Sequence, residues 1–363
     1  MLQAKSAIVI RRRFERACKS RILVLFWLFA VVLAACSGAQ DPQTADDATA
    51  EDTETSTAEP EVQDDLTPLT IMPVLSIPSA PIWMAHDQGY YEDVGLDVEM
   101  LLFPSGTTAL EAFRQGQGDL VGTGDLPGLV YWATHDQETR VIMSPAFGPE
   151  RFSAVATAEI QAPEDLVGKT IGIREGSGSE YFAQRYLELN DVDEGDVIFA
   201  NLEPGQMTAA LSNKDIDAFF IWDPHGGQAL EALGDTGVHE LSTATGYMGG
   251  YSMISGREAW LEDNEETVLA FIEATERGLD FAQDNLDYVG EYAEREFQMD
   301  SELVASEYGK SDWLVTFLDE AFFEEMSNLA SWATDKGMIE EEVDIGSLVW
   351  DPVLDLDDRS VQP

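Results

Sequence analysis

From about residue 67 onward, short apolar runs alternate with segments in which apolar residues recur every three or four positions. Short runs bounded by turn residues predict buried strands, and the longer period predicts amphipathic helices. This pattern places strands at 69–75, 97–102, 120–123 and 139–144, with helices at 82–87, 107–115 and 126–134 between them. A second set opens with a turn at Pro163–Leu166, followed by strands at 170–174, 197–201 and 218–221 and helices at 179–189 and 206–213. Such alternation argues for α/β layers around parallel sheets. Two sets argue for two lobes, which suits 363 residues when domains cluster near roughly 100–200. Beyond Trp260 the pattern turns helical, through Val268, Leu269, Ile272, Leu279 and Phe281 and again through Leu314, Phe317, Leu318, Phe322 and Met326. The aromatic positions Phe317, Phe322, Phe323 and Trp332 are expected to pack against the first lobe.

The amino terminus follows a different pattern. A basic stretch (Lys5, Arg11, Arg12, Arg13, Arg16, Lys19, Arg21) precedes an apolar run at 22–34, the layout of an export signal. The run is shorter than the roughly 20 apolar residues of a membrane span. It ends in Leu33-Ala34-Ala35-Cys36, which resembles the bacterial lipobox, so residues 1–35 are expected to be removed and Cys36 to carry lipid. An ordinary signal peptide with an incidental cysteine, or an uncleaved anchor, is the alternative. Arg11-Arg12-Arg13-Phe14 loosely resembles a twin-arginine motif, which leaves Sec and twin-arginine export both open. Cys18 falls inside the removed segment, so Cys36 would be the sole thiol of the mature chain and no intrachain disulfide could form. A lone terminal cysteine suits an anchor better than redox chemistry. Residues 36–67, rich in Ala, Thr, Asp, Glu, Gln and Pro, read as a disordered acidic tether. The expected location is extracytoplasmic, in the periplasm or at the cell surface, anchored to the membrane.

Charge narrows the partners. The formal net charge is −49, and without residues 1–35 the balance becomes 13 Lys/Arg against 68 Asp/Glu, or −55. Such a field repels nucleic acid and anionic lipid heads, which sets nucleic-acid binding aside. A solvated acidic surface adapted to high salt explains the charge better than a specific basic partner.

Several predicted strand ends run through a polar or glycine-bearing turn into a helix: Ser76 to Pro81, Pro104-Ser105-Gly106-Thr107, Gly122-Thr123-Gly124-Asp125 and Glu175-Gly176-Ser177-Gly178-Ser179. In open α/β sheets ligands bind beyond the carboxyl ends of the strands. Helix amino termini aimed at one cleft would hold an oxyanion there without a buried Lys or Arg. Taken singly, each Ser, Thr or Asp is explained by capping; their joint placement favours a site. Enzymatic constellations are weak. His86, His135, His225 and His239 show no metal-ligand spacing, no G-x-S-x-G elbow or Walker loop occurs, and Gly122-Thr123-Gly124 with Gly128 misses the dinucleotide fingerprint. No cofactor and no metal site are expected.

These segments carry a family resemblance. Gly89-Tyr90-Tyr91-Glu92 with Val94-Gly95-Leu96-Asp97-Val98, then Ser105-Gly106 through Gly118-Asp119, and Gly124-Asp125-Leu126-Pro127 resemble ABC-importer binding proteins of the nitrate/sulfonate/taurine (aliphatic sulfonate) type. Asp165-Leu166-Val167-Gly168-Lys169-Thr170-Ile171-Gly172-Ile173 with Gly176-Ser177 is similar to that family's second-lobe opening. Leu211 through Asp215-Ile216-Asp217-Ala218, Trp222-Asp223-Pro224, and a tail at Leu329, Trp332, Gly337 and Ile339 extend the likeness over about 69–345. Asn213-Lys214 departs from it where the family has glycine. The resemblance implies an α/β bilobal periplasmic-binding-protein (type II) clamshell with two hinge crossings, lobe 1 being 68–156 plus 249–363 and lobe 2 being 157–248. It implies a monomer that captures a small sulfonate, taurine-like or nitrate-like ligand and delivers it to ABC permease subunits. By position, the ligand would meet Ser79, Ala80, Trp83, Gly124, Asp125, Ser177, Gly178, Trp222 and Asp223. Core packing explains Trp83 and Trp222 equally well, and capping or a turn before Pro224 explains Asp125 and Asp223. Competing readings are a binding protein for a thiamine-precursor pyrimidine, a surface adhesion module, or an enzyme on the same scaffold, for which His225 is the available reactive side chain.

Overall fold

The computed structural model describes residues 8–10, 66–134, 138–313, 318–340, 343–354 and 356. The expected signal segment apart from Ile8–Ile10, the tether apart from Leu66 and Thr67, Cys18, Cys36, His135, Leu314 and Phe317 lie outside the described residues.

The predicted strands divide between two sheets. The first has six strands, in the order Ile8–Ile10, Leu96–Leu102, Thr67–Met72, Leu120–Gly124, Ser252–Arg257 and Thr139–Met143. Thr67–Met72 runs parallel to both Leu96–Leu102 and Leu120–Gly124, while Ser252–Arg257 lies antiparallel between Leu120–Gly124 and Thr139–Met143. The second has five strands, in the order His239–Thr243, Phe152–Ala156, Ala218–Trp222, Thr170–Ile173 and Ile198–Asn201. Its last three are mutually parallel, and Phe152–Ala156 is antiparallel to its neighbours.

The strands read from apolar runs appear at or within a few residues of their expected bounds. Those absent from the reading are Phe152–Ala156, His239–Thr243 and Ser252–Arg257, together with the short Ala146–Phe147 and Asp312–Trp313 pair. Their compositions explain this: Phe-Ser-Ala-Val-Ala and Ser-Met-Ile-Ser-Gly-Arg mix hydroxyl and small residues into positions that are nonetheless buried. Phe152–Ala156, on the first-lobe side of the expected 156/157 boundary, pairs in the second sheet. Ile8–Ile10, inside the expected export signal, lies antiparallel on the outer edge of Leu96–Leu102.

Helices cover the sheets as alternation requires. Ala80–Gln88 packs on the long helix Glu265–Asp284, whose amphipathic period buries Val268, Phe271, Ile272, Leu279 and Ala282. Tyr91 stacks on Phe271 with ring centroids 5.2 Å apart, and its hydroxyl shares a 2.9 Å hydrogen bond with Thr275. In the second layer Phe182, on helix Gly178–Leu189, packs edge-on against Phe220 at 4.9 Å. Among the described residues no helix is long and apolar enough to cross a membrane.

The contact between Ala80–Gln88 and Glu265–Asp284 is backbone against backbone, and it explains a glycine that costs helix stability elsewhere. A Cβ on Gly278 would stand 2.2 Å from the Pro81 carbonyl oxygen and 2.7 Å from the Ala85 nitrogen, neither of which can yield alone. Gly278→Ala is therefore expected to destabilise by about 1–3 kcal/mol, as overpacking does. Thermal or urea unfolding checks this, and an unchanged or higher midpoint would contradict the packing.

Candidate functional site

Parallel strands of each sheet release their carboxyl ends toward a common cleft. Val74 and Ser76 follow Thr67–Met72, Gly106 follows Leu96–Leu102, and Gly124 and Asp125 follow Leu120–Gly124; from the second sheet come Ser177, Gly178 and Trp222. These residues line a cavity of ≈ 50 Å³ with Thr123, Pro127, Arg151, Phe152 and Ser252. That is far below the roughly 300–1,000 Å³ of sites for drug-sized ligands, so a small group fits as the cleft stands. Larger grooves of ≈ 550 and ≈ 1030 Å³ lie outside it, against helix Glu320–Asp335.

Arg151, Phe152 and Ser252 enter from antiparallel strands, and the reason is topological. An antiparallel strand begins at the end of the sheet where its parallel neighbours finish, so its first residues reach the same cleft. Arg151 immediately precedes Phe152–Ala156 and is 4% exposed. This overturns the expectation of an oxyanion site without a buried Lys or Arg. Its Nη2 donates to the Gly250 carbonyl at 3.2 Å and to Ser252 Oγ at 3.4 Å, its guanidinium lies 4.6 Å from the Phe152 ring centroid, and its Nε has no partner. Thr123 Oγ1 and Trp222 Nε1 are likewise buried without partners. Each buried donor left unpaired costs about 1–3 kcal/mol, so three on one cavity favour a ligand that accepts hydrogen bonds.

Helix amino termini add partial positive charge. Helices Gly106–Arg114, Asp125–Thr134 and Gly178–Leu189 all begin at cavity-lining residues. Gly178 has to be small, since a Cβ there would meet the Phe152 ring at 3.0 Å.

The structure separates the remaining expected site residues. Ser177 caps its helix, donating to the Arg174 carbonyl at 2.6 Å and accepting from the Ser179 N–H at 3.2 Å. Ser79 donates to the Val74 carbonyl at 2.7 Å and borders only a ≈ 20 Å³ recess beside the cavity. Ala80 is buried in its helix and does not line the cavity. Trp83 is also away from it, fully buried with its ring 4.7 Å from Phe297 and its indole N–H unpaired. Trp222 does line the cavity.

The two aspartates resolve differently. Asp125 accepts from the backbone N–H of Leu126 (2.8 Å) and Tyr251 (3.0 Å), which ties both oxygens into the fold. Burial nevertheless pushes its pKa up to about 6, against the pull of those amides and Arg151. Asp223 is not a cavity residue. Its carboxylate lies behind Arg151, 4.0 Å from Nη1, with no hydrogen-bond partner on either oxygen. Burial pushes its pKa up to about 7, the Arg151 charge opposing the shift.

His225 begins helix His225–Leu233 with its ring 6.5 Å from that of Trp222, and it does not line the cavity. Burial lowers its pKa to about 4, so it is neutral near pH 7. Among the described residues no group of three or more His, Cys, Asp or Glu side chains could hold a metal ion.

Two sheets facing one cleft across antiparallel crossovers define a protein of the bilobal periplasmic-binding-protein class (type II). The periplasmic aliphatic sulphonate binding protein of Escherichia coli superposes with a TM-score of 0.69 at 19% identity, over 79% of this chain and 98% of that one. The alkanesulfonate-binding protein of Xanthomonas axonopodis pv. citri, bound to MOPS, gives 0.69 at 18% identity, over 79% and 99%. The chain belongs to the NMT1/THI5 like family, whose model matches residues 77–287. A putative binding protein of Brucella abortus is 26% identical over 207 residues, 56% of this chain and 62% of that protein, so the match spans under two thirds of the relative's length.

Contacts outside the cavity also join the layers. Trp332, on helix Glu320–Asp335, meets Tyr181 of helix Gly178–Leu189 edge-on at 4.5 Å, so this aromatic position reaches the second layer and is not confined to the first. Nearby, Lys336 Nζ lies 2.7 Å from Glu194, and Glu325 accepts from the Gly249 N–H at 2.9 Å. The ion pair is substantially exposed and contributes little, whereas a buried aromatic pair is worth about 0.5–1.5 kcal/mol beyond its area. Trp332→Ala is expected to shift the protein toward an open form, raising the radius of gyration in small-angle scattering more than Lys336→Ala does. Equal profiles for both variants and the parent would contradict this.

Proposed function

We propose that this chain is the extracytoplasmic, lipid-anchored solute-binding subunit of an ABC importer, closing two lobes on a small organosulfonate and delivering it to the permease. One observation carries the ligand class. The Arg151 guanidinium, the Thr123 hydroxyl, the Trp222 indole N–H and the starts of helices Gly106–Arg114, Asp125–Thr134 and Gly178–Leu189 face one small cavity. A sulfonate is a permanent anion with several acceptor oxygens, and such donors fixed in a buried site suit it. The sulfonate ligands named for the E. coli and Xanthomonas proteins of this fold support the same class.

An alkanesulfonate suits the cleft better than taurine. Taurine's ammonium requires a free carboxylate, yet Asp125 is bound to backbone amides and Asp223 stands behind Arg151. Sheet membership supports lobes that exchange the chain ahead of Phe152 and again between Thr243 and Ser252. The lipobox at Leu33-Ala34-Ala35-Cys36 supports the anchor. Cleavage there would remove Ile8–Ile10 and leave Leu96–Leu102 as the sheet edge.

Calorimetry with ethanesulfonate, taurine, nitrate and a thiamine-type pyrimidine tests the ligand class. Ethanesulfonate is expected to bind most tightly, and Arg151→Met to weaken it at least about 100-fold, the scale of losing a buried charged partner. Binding of the pyrimidine alone would reject the proposal. For the anchor, Cys36→Ser is expected to abolish labelling by fatty acid and to release the protein from membranes; unchanged labelling would reject it.

A further inference from the structure

We infer that Asp223 takes up a proton when the cleft captures an anion, so that ligand and proton are bound together. This rests on the anion-binding reading above. Asp223 is completely buried as a side chain, neither oxygen receives a hydrogen bond, and its ion-pair partner is Arg151 at 4.0 Å. That guanidinium also lines the cavity, so it is the cation on which Asp223 and a captured anion both depend.

The other charged groups near Asp223 give the proton no competing home. Glu307 and Lys310, from helix Ser301–Tyr308 and the turn after it, face Asp223 but are paired with each other at 2.8 Å. His225, on the same turn as Asp223, is held neutral by burial. Asp125 also feels Arg151, and burial raises its pKa to about 6, but its oxygens accept from the Leu126 and Tyr251 amides, which keep it a stronger acid than Asp223.

Two anions sharing one buried cation cannot both stay ionised at little cost, and the weaker acid protonates. A sulfonate remains ionised at any pH the protein survives, so the proton goes to Asp223, coming from solvent. Burial has already brought Asp223 close to neutral pH before any ligand arrives. The sign follows from linkage. Binding that raises an acid's pKa is favoured at low pH, and affinity falls as pH climbs from the free pKa toward the bound one.

The test is titration calorimetry of the purified full chain with ethanesulfonate between pH 6 and 9, in Tris, triethanolamine and imidazole buffers of different ionisation enthalpy. Near pH 8 the apparent enthalpy is expected to vary with buffer in the sense of proton uptake, by about half to one proton, and affinity to fall by up to tenfold per pH unit above about 7. Asp223→Asn is expected to remove the buffer dependence and flatten the pH profile. Wild-type binding with no buffer dependence and a flat profile overturns the inference and leaves the sulfonate reading standing, as does persistent uptake in Asp223→Asn. Absence of any sulfonate binding overturns both.

Discussion

A positive charge buried between two sheets is the constraint around which this cleft is organised. An isolated guanidinium in an apolar interior is prohibitively costly, so Arg151 needs compensation from every side. The Gly250 carbonyl and the Ser252 hydroxyl accept from one amino group, the Phe152 ring lies against the guanidinium, and Asp223 supplies the countercharge. Each of these groups sits beside a chain crossover between the sheets. The Arg therefore ties the site to the same segments that join the layers.

The compensation is deliberately incomplete in its geometry. Asp223 stands at 4.0 Å, too far for a tight bidentate pair, and the Arg151 Nε, Thr123 Oγ1 and Trp222 Nε1 groups have no acceptor among the described residues. A fully satisfied network would rigidify the cleft and leave nothing for a ligand to gain. Unpaired donors and three helix starts converge on this cavity within a chain whose formal charge is −49. The overall field repels anions at long range, but screening by salt confines that effect to about a Debye length.

How much of this could be read in the sequence depended on the type of strand. The parallel strands of both sheets were legible because burial on both faces makes them continuous apolar runs, as in Ala218–Trp222. Gly124, Asp125, Ser177, Gly178 and Trp222, taken from their carboxyl ends, line one cavity. The antiparallel strands Phe152–Ala156 and Ser252–Arg257 were not legible, since Ser153, Ser252 and Ser255 interrupt the apolar pattern while remaining buried. With them went Arg151, the chemically most informative residue of the cleft. A signal for it did exist, since the chain carries only 20 basic residues against 69 acidic, and one directly preceding an apolar strand merits attention.

The linear pattern determined the order of elements and the two-layer architecture, because strand and helix periodicities are local and survive without neighbours. It also determined the helix starts, since Ser105 and Ser177 act through bonds to residues two or three positions away. Only the tertiary structure decided which polar groups face the cleft. Trp83, inside helix Ala80–Gln88, and Trp222, at the end of strand Ala218–Trp222, both bury an unpaired indole N–H, yet Trp83 packs on Phe297 away from the cavity and Trp222 lines it. Asp125 and Asp223 diverge in the same way, one bound to the amides of Leu126 and Tyr251 and the other left opposite Arg151. Those outcomes depend on partners 72 to 214 positions away in the chain, and periodicity carries no information about such distances.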